Sequence, residues 1–160
     1  MKLVLLVGTM TGTAQLVAQE LELAWDNPGD DDPVQVETLL MDKLDSTVFQ
    51  REAIFLLVTS TYGQGDVPDN AKHLYASLQD ARPDLSSVQY GVIALGDRTY
   101  AETFCFGGKR FDELLTELGA QRLGEVFRHD ASAGTMPEEL AADWAIRWIE
   151  SVKAGRALPA

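Results

Sequence analysis

Two glycines and three threonines follow the first apolar stretch of the chain, in the segment VGTMTGTAQ (residues 7–15). The start of a helix presents unpaired backbone N–H groups and the positive end of the helix dipole, so this segment can bind an anion without a cation. Threonine hydroxyls add donors, and Gly12 permits close backbone approach. Three residues separate Gly8 from Gly12, no lysine follows, and GxGxxG is absent, so neither a nucleoside-triphosphate loop nor a dinucleotide loop is indicated. A threonine-rich helix cap without a ligand is the alternative.

Two tyrosines in later loops are suited to stacking on a planar ligand. Tyr62 lies in TSTYGQGDVPDN (residues 59–70), and Tyr100 lies in LGDRTYAETFCFGGK (residues 95–109). Each stacked ring contributes roughly 1–3 kcal/mol, judged by base–aromatic pairs. Either tyrosine alone is more typical of a packing lid. Together with the Gly8–Thr13 loop, the pair predicts a site for a flat, monophosphorylated ligand.

Three apolar runs predict the strands that position these loops: KLVLLV from Lys2, AIFLLV from Ala53 and YGVIAL from Tyr90. None of them alternates strictly between apolar and polar residues, which is typical of strands covered on both faces in a parallel sheet. VQVETLL from Val34 and RLGEVF from Arg122 are weaker candidates.

Apolar stripes at helical spacing separate the strands. The stripes are Ala14, Val17, Leu21 and Ala24; Ala71, Leu74, Leu78 and Ala81; Phe111, Leu114, Leu115 and Leu118; and Leu140, Trp144, Trp148 and Val152. Gly119 is expected to end the third helix, and Thr135 and Glu138 have capping-box spacing ahead of the fourth. A short irregular helix is expected between Met41 and Arg51. The alternation predicts an α/β fold, a three-layer open sandwich with a five-stranded parallel sheet and helices on both faces.

Ligands of such sheets bind beyond the carboxyl ends of the strands, so the loops that begin at Gly8, Ser60 and Gly96 are expected to converge there. Cys105 is expected to be a small buried hydrophobe, with a reactive thiol as the alternative. His73 and His129 have no ligand partners at metal spacing, so neither a metal nor a catalytic role is assigned to them. Trp25, Trp144 and Trp148 are expected in or beside the core.

The 160 residues are the size of one domain, which we expect to span residues 1–160. Thirteen basic residues against 25 acidic ones give a net charge of −12, so a general nucleic-acid binder is excluded. The acidity serves either solubility or attraction of a basic protein partner. A single cysteine, with neither a signal peptide nor a membrane span in the sequence, favours the cytoplasm.

The motifs GTMTGTA, TSTYGQGDVPDNA and LGDRTY...F...GGKRFDELLTELGA resemble the three FMN-binding loops of short-chain flavodoxins. The resemblance covers nearly the whole chain, is nearest to MioC/YqcA-like single-domain proteins, and extends to the FMN domains of diflavin reductases. It implies non-covalently bound FMN and the strand order 2-1-3-4-5.

The resemblance also implies the residues that contact FMN. Those of the first loop would hold the phosphate: Thr9, Met10, Thr11, Gly12, Thr13 and Ala14. Those of the later loops would surround the ribityl chain and the ring: Ser60, Thr61, Tyr62, Gly63, Gly65, Leu95, Gly96, Asp97, Tyr100, Phe104 and Cys105. Tyr62 and Tyr100 would stack on opposite faces of the ring, and the peptide at Gly63 would accept a hydrogen bond from the reduced flavin. One departure from the family pattern is the segment between Tyr100 and Phe104, which is one residue longer than is common.

By the same resemblance, the expected function is that of a low-potential one-electron carrier rather than an enzyme. It would take electrons from a basic NADPH-dependent flavodoxin/ferredoxin reductase, deliver them to acceptor enzymes, and act as a monomer. The partners would dock at an acidic flavin edge formed by Asp66, Asp69, Asp97, Glu102 and Asp130. A small FMN-dependent quinone or nitro reductase is the alternative. A receiver-type signalling domain is rejected, because the sequence lacks the acidic cluster and the phospho-accepting aspartate that it needs.

Overall fold

The computed structural model describes residues 2–8, 13–25, 34–59, 71–96, 106–130 and 136–157. The strands are β1 (Lys2–Gly8), β2 (Gln35–Leu40), β3 (Ile54–Thr59), β4 (Gln89–Gly96), β5 (Gln121–Arg122) and β6 (Phe127–Asp130). The α-helices are α1 (Thr13–Ala24), α2 (Lys72–Ala81), α3 (Phe106–Glu117) and α4 (Pro137–Ala157). Two 3₁₀ helices, Met41–Lys43 and Ser46–Gln50, occupy the segment where a short irregular helix was predicted.

All strand pairs are parallel, and the sheet has the order β2-β1-β3-β4-β5, with β6 also paired to β4. This is the predicted order 2-1-3-4-5 once β5 and β6 are taken as two pieces of a fifth strand. The three strong apolar runs form β1, β3 and β4, and β1 and β3 are buried along nearly their whole lengths.

The sheet is covered on both faces, which explains why its inner strands do not alternate. Val4 and Leu6 of β1 pack in one hydrophobic cluster with α2 and α3, whereas Leu3, Leu5 and Val7 pack in a second cluster with α1 and α4. Successive side chains of a strand point to opposite faces, so both parities must be apolar. The three-layer prediction is confirmed.

The carboxyl-terminal end of helix α3 lies where the sequence predicts it. Gly119 adopts φ +102°, a left-handed conformation that favours glycine. Its N–H donates to the carbonyl of Thr116, and that of Ala120 donates to the carbonyl of Leu115. Gly119 therefore ends α3 as predicted.

The fifth strand differs from its prediction, because residues 123–126 in the middle of RLGEVF form a break between β5 and β6. Gln121 pairs with Gln89 and Phe127 pairs with Ile93. The segment from Gln121 to Phe127 is therefore two residues longer than the segment of β4 that it lies beside. Gly124 takes φ +75° in the break, and the indole N–H of Trp148 donates to the Leu123 carbonyl at 2.7 Å. The indole therefore supplies a hydrogen bond at the interruption.

The apolar stripe of α4 is shifted from its prediction. Trp148 and Val152 are buried as expected, and Trp144 is half-buried between Phe127 and Trp148. Leu140 is 41% exposed, and small alanines occupy the buried positions of the first turns instead. No helix among the described residues is both long enough and apolar enough to span a bilayer.

Candidate functional site

Strands β1 and β3 end at one level along the carboxyl edge of the sheet, and β4 and β6 end together two residues farther on. Gly8 is paired with Thr59, Thr59 with Ala94, and Gly96 with Asp130. The chain leaves β1 for β2 on one side, whereas β3 lies on the other, so the strand order reverses between β1 and β3. Loops that leave such a point diverge and open a crevice. The three predicted binding loops thus begin beside one another.

Gly8 is enclosed where β1 ends. A methyl group on its Cα would lie 2.9 Å from Thr59 Oγ1, 3.0 Å from Met41 Sδ and 3.2 Å from Ala71 Cβ. All three neighbours are 0% exposed. Only glycine lets β1, β3 and the segment leading into α2 come together here, and this contact was not predicted from the sequence.

The start of α1 suits a bound anion. The helix begins at Thr13, next to the carboxyl edge, and its first turn contains no acidic side chain. Thr13 is half-buried and Ala14 is fully buried, which holds the helix start against the sheet. The unpaired N–H groups of a first turn and the helix dipole favour negative charge. The described part of this predicted phosphate site therefore fits the phosphate of FMN.

Four of the predicted FMN contacts fall on described residues. Thr13 and Ala14 start α1, and Leu95 and Gly96 end β4. The Leu95 side chain is 5% exposed and packs in the core beneath α1 and α4, so its backbone is the part that borders the edge. The other predicted contacts lie outside the described residues: Thr9, Met10, Thr11, Gly12, Ser60, Thr61, Tyr62, Gly63, Gly65, Asp97, Tyr100, Phe104 and Cys105.

Of the predicted acidic edge, Asp130 is described, half-buried at the end of β6. Asp66, Asp69, Asp97 and Glu102 lie outside the described residues. His129 is buried next to Asp130, whereas His73 is exposed on α2. Within the ranges given above, no three His, Cys, Asp or Glu residues form a group that could hold a metal ion.

A polar network at the amino end of β4 belongs to the scaffold. The Tyr90 hydroxyl donates to Asp112 Oδ1 at 2.6 Å and lies 2.9 Å from Thr116 Oγ1. Asp112 Oδ2 accepts from Arg122 at 2.5 Å, which links β4, α3 and β5. Burial, followed by the hydrogen bond to Asp112, raises the pKa of Tyr90 well above its usual value. The network lies at the opposite end of β4 from the binding loops.

Two clefts border the break in the fifth strand, and Arg122 lines both of them. One of about 370 Å³ includes Gln89, Gly124 and Trp148, and the other, of about 460 Å³, includes Lys109 and Arg128. The Arg122 guanidinium is already paired with Asp112, and its Nε donates to the Gly124 carbonyl at 3.0 Å. These contacts explain how the break is held, whereas the loops that suit a phosphorylated planar ligand start at the carboxyl edge.

Comparisons with known proteins agree with this geometry. The chain matches the family described as Flavodoxin over residues 5–144. It is 43% identical over 148 residues to Flavodoxin YqcA of Pectobacterium carotovorum, covering 92% of this chain and 95% of that protein. It is 36% identical to the sulfite reductase [NADPH] flavoprotein alpha-component of Vibrio parahaemolyticus over 144 residues, which are 86% of this chain and 22% of that protein. A solved structure, the C101A mutant of flavodoxin from Pseudomonas aeruginosa, superposes with a TM-score of 0.81 at 36% identity, covering 96% of this chain and 99% of that one. The chain therefore belongs to the flavodoxin family, whose members bind FMN and transfer electrons rather than act as enzymes.

Proposed function

We propose that this protein is a low-potential one-electron carrier that receives electrons from an NADPH-dependent flavodoxin/ferredoxin reductase and passes them to acceptor enzymes. The observation that carries the proposal is that β1, β3 and β4 end within two residues of one another, beside the acid-free start of α1. FMN supplies the redox chemistry when bound, and the protein supplies binding, orientation and electrostatics. We include in the proposal a single domain over residues 1–160, a monomer and a cytoplasmic location.

The proposed FMN site combines the described strand ends with the loops that follow them. Thr9 to Ala14 would bind the phosphate through backbone N–H groups and hydroxyls, and Tyr62 and Tyr100 would cover the two ring faces. The remaining contacts are those that the family motifs assign between Ser60 and Gly65 and between Leu95 and Cys105. Thr13 begins α1 and Gly96 ends β4 at the carboxyl edge of the sheet, which supports the assignment of these two segments.

The absence of positive charge in the first loop supports a low potential. Residues 7–15 contain neither lysine nor arginine, and the chain carries a net charge of −12. An acidic group about 10 Å away in a water-like dielectric opposes an added electron by roughly 0.4 kcal/mol. At about 59 mV per 1.4 kcal/mol, each such group lowers the potential by roughly 20 mV. The same acidity would attract a basic reductase, with an association rate that falls as salt rises.

A reductive titration of the purified protein tests the proposal. The protein is expected to be yellow, to release FMN on denaturation, and to accept electrons one at a time from NADPH when a flavodoxin reductase is added. Recovery of FAD, or of no flavin after reconstitution with FMN, would overturn the cofactor assignment. Uptake of electrons only in pairs, with direct turnover of a quinone by NADPH, would favour the reductase alternative instead.

A matched pair of tyrosine variants tests the site residues. Tyr62→Leu is expected to weaken FMN binding by roughly 1–3 kcal/mol through loss of stacking. Tyr75→Leu is the control, because Tyr75 packs edge-on against Phe111 at 5.3 Å between α2 and α3. FMN affinity is measured by the quenching of flavin fluorescence as apoprotein is added. Equal losses in the two variants would contradict a stacking role for Tyr62.

A further inference from the structure

Three large apolar side chains are exposed where α1 and α4 begin. Leu16 is 55% exposed, Met136 is 54% exposed and Leu140 is 41% exposed. Leu16 and Leu140 lie in the first turns of their helices, and Met136 immediately precedes α4. Because both helices follow parallel strands, these three residues lie at the carboxyl edge of the sheet, and we name them the apolar edge patch.

The apolar edge patch does not contribute to the core of this layer. The buried faces of the two helices are formed by other residues, among them Ala14 and Val17 on α1 and Ala141 and Ala145 on α4. Single exposed leucines are ordinary on protein surfaces. Three large apolar side chains at one end of one helical layer, beside the cofactor loops, are better explained by an interaction.

The charges around the apolar edge patch select the kind of partner. Helix α1 contains Glu20 and Glu22 and no basic residue, and the first two turns of α4 contain Glu138, Glu139 and Asp143 before its first basic residue, Arg147. A second copy of the chain would bring like charges together in a molecule of net charge −12. A face with apolar side chains surrounded by lysine or arginine complements this patch.

We propose that the apolar edge patch is a docking surface for a redox protein whose contact face is apolar and ringed by basic residues. The inference rests on the proposed function of the chain as an electron carrier. Contact at this edge brings the partner next to the loops proposed to hold FMN, whereas contact at the far ends of the helices would leave the length of the strands between the partner and those loops.

Cytochrome c is a suitable probe, since it is a basic one-electron acceptor with an exposed haem edge surrounded by lysines. The FMN-loaded protein is reduced, and the second-order rate constant for cytochrome c reduction is measured by stopped flow at low salt. Leu16→Gln and Leu140→Gln are each expected to lower this constant about fivefold, which corresponds to about 1 kcal/mol of lost apolar contact. Calorimetric titration of the two oxidised proteins is expected to show the same weakening of binding.

Leu23→Gln is the matched control. Leu23 is 70% exposed on the same helix as Leu16, but it lies seven residues farther from the carboxyl edge, about 10 Å along the helix axis. Its replacement is expected to change the rate constant and the affinity by less than 1.5-fold. Equal effects of Leu16→Gln and Leu23→Gln, or no effect of either, would overturn the docking proposal. Loss of self-association in Leu16→Gln, measured by sedimentation, would also overturn it by showing that a second copy covers the patch.

Reduction of ferricyanide separates this proposal from the proposed function. The small anion needs no docking surface, so all variants are expected to reduce it at the rate of the unmodified protein. Failure of the unmodified protein to bind FMN or to reduce ferricyanide would refute the electron-carrier function. Normal ferricyanide reduction with unchanged cytochrome c kinetics in Leu16→Gln would refute the docking surface alone.

Discussion

Replacing Gly8 with alanine inserts a methyl group into the contact that holds two strand ends together. The new Cβ would lie 2.9 Å from Thr59 Oγ1, 3.0 Å from Met41 Sδ and 3.2 Å from Ala71 Cβ. All three neighbours are 0% exposed, so none can relieve the clash by turning outward into solvent without leaving the core. Gly8 and Thr59 are paired and end β1 and β3. We expect relief of the clash to separate the strand ends from which the first two proposed FMN loops start.

The expected loss of stability is that of forcing one methyl group into a filled core. Overpacking of a filled core by one methyl group costs about 1–3 kcal/mol. We expect the free energy of unfolding of the Gly8→Ala apoprotein to fall by this amount. Because the loops shift with the strand ends, the dissociation constant for FMN is expected to rise about tenfold, or about 1.4 kcal/mol. Urea unfolding and the quenching of FMN fluorescence measure the two quantities.

Gly91→Ala separates loss of packing from loss of loop position. A Cβ on Gly91 would lie 2.7 Å from Trp148 Cζ2, so overpacking is comparable, but Gly91 lies in the amino-terminal half of β4. Its FMN affinity is expected to stay within twofold of that of the unmodified protein. The double variant Gly8→Ala/Thr59→Ala is expected to recover part of the lost affinity, since it removes the nearest clashing atom. Equal FMN affinity in Gly8→Ala and Gly91→Ala would refute the argument that the strand ends position the loops.

Four further variants, with a fifth as a control, have expected outcomes in stability or potential. Tyr90→Phe is expected to lower the free energy of unfolding at pH 7 by about 1–3 kcal/mol. Since the fold raises the pKa of Tyr90, the unmodified protein should lose stability as the pH rises above about 10, the ordinary pKa of tyrosine, and the variant should lose less, as urea titrations at each pH would show. Trp148→Phe deletes the hydrogen bond to the broken strand and is expected to cost about 1 kcal/mol in the same assay. Trp25→Phe removes a buried indole N–H that has no hydrogen-bond partner among the described residues, so thermal unfolding should show no loss of stability beyond about 1 kcal/mol. Gln15→Lys places a cation in the first turn of α1 and is expected to raise the FMN potential by roughly 20 mV; Gln19→Lys, one turn farther along and equally exposed, should raise it less, and equal shifts would contradict a local effect.

The three layers could be predicted because the inner strands have no polar face. Every side chain from Leu3 to Val7 in β1 and from Ile54 to Val58 in β3 is buried. Because all of these residues are apolar, the sequence alone predicts that both faces of the sheet are covered. The edge strand β2 has a mixed pattern and gave a weaker signal, but its position was still found. The order 2-1-3-4-5 came from the family resemblance.

The break in the fifth strand could not be predicted, since it depends on a contact distant in sequence. Leu123 to Val126 have ordinary strand-forming and turn-forming residues, and only Gly124 hints at an interruption. The break is held by Arg122, which donates to the Gly124 carbonyl, and by the indole of Trp148, which lies against Gly91 and donates to the Leu123 carbonyl. Leu140 was placed on the buried stripe of α4 for a similar reason. Leu140 does lie one turn before Trp144 on the same side of the helix. Trp144 is only half-buried, however, so this side is the rim of the buried face, and alanines occupy the centre of that face.

The two helices of one layer differ at the ends that face the cofactor edge, and this difference explains where a phosphate would bind. Helix α4 begins with Glu138 and Glu139, whose carboxylates favour its positive end and leave an added anion opposed by like charge. Helix α1 has no acidic side chain in its first turn, so no carboxylate there opposes a bound anion. A lysine in the loop ahead of α1 would strengthen phosphate binding, but it would also stabilise the electron that the flavin must give up. Backbone donors satisfy the phosphate without adding a full positive charge beside the ring. The lysine-free loop and the acidic start of α4 therefore act in the same direction, since both keep the electrostatic environment of the flavin favourable for electron donation.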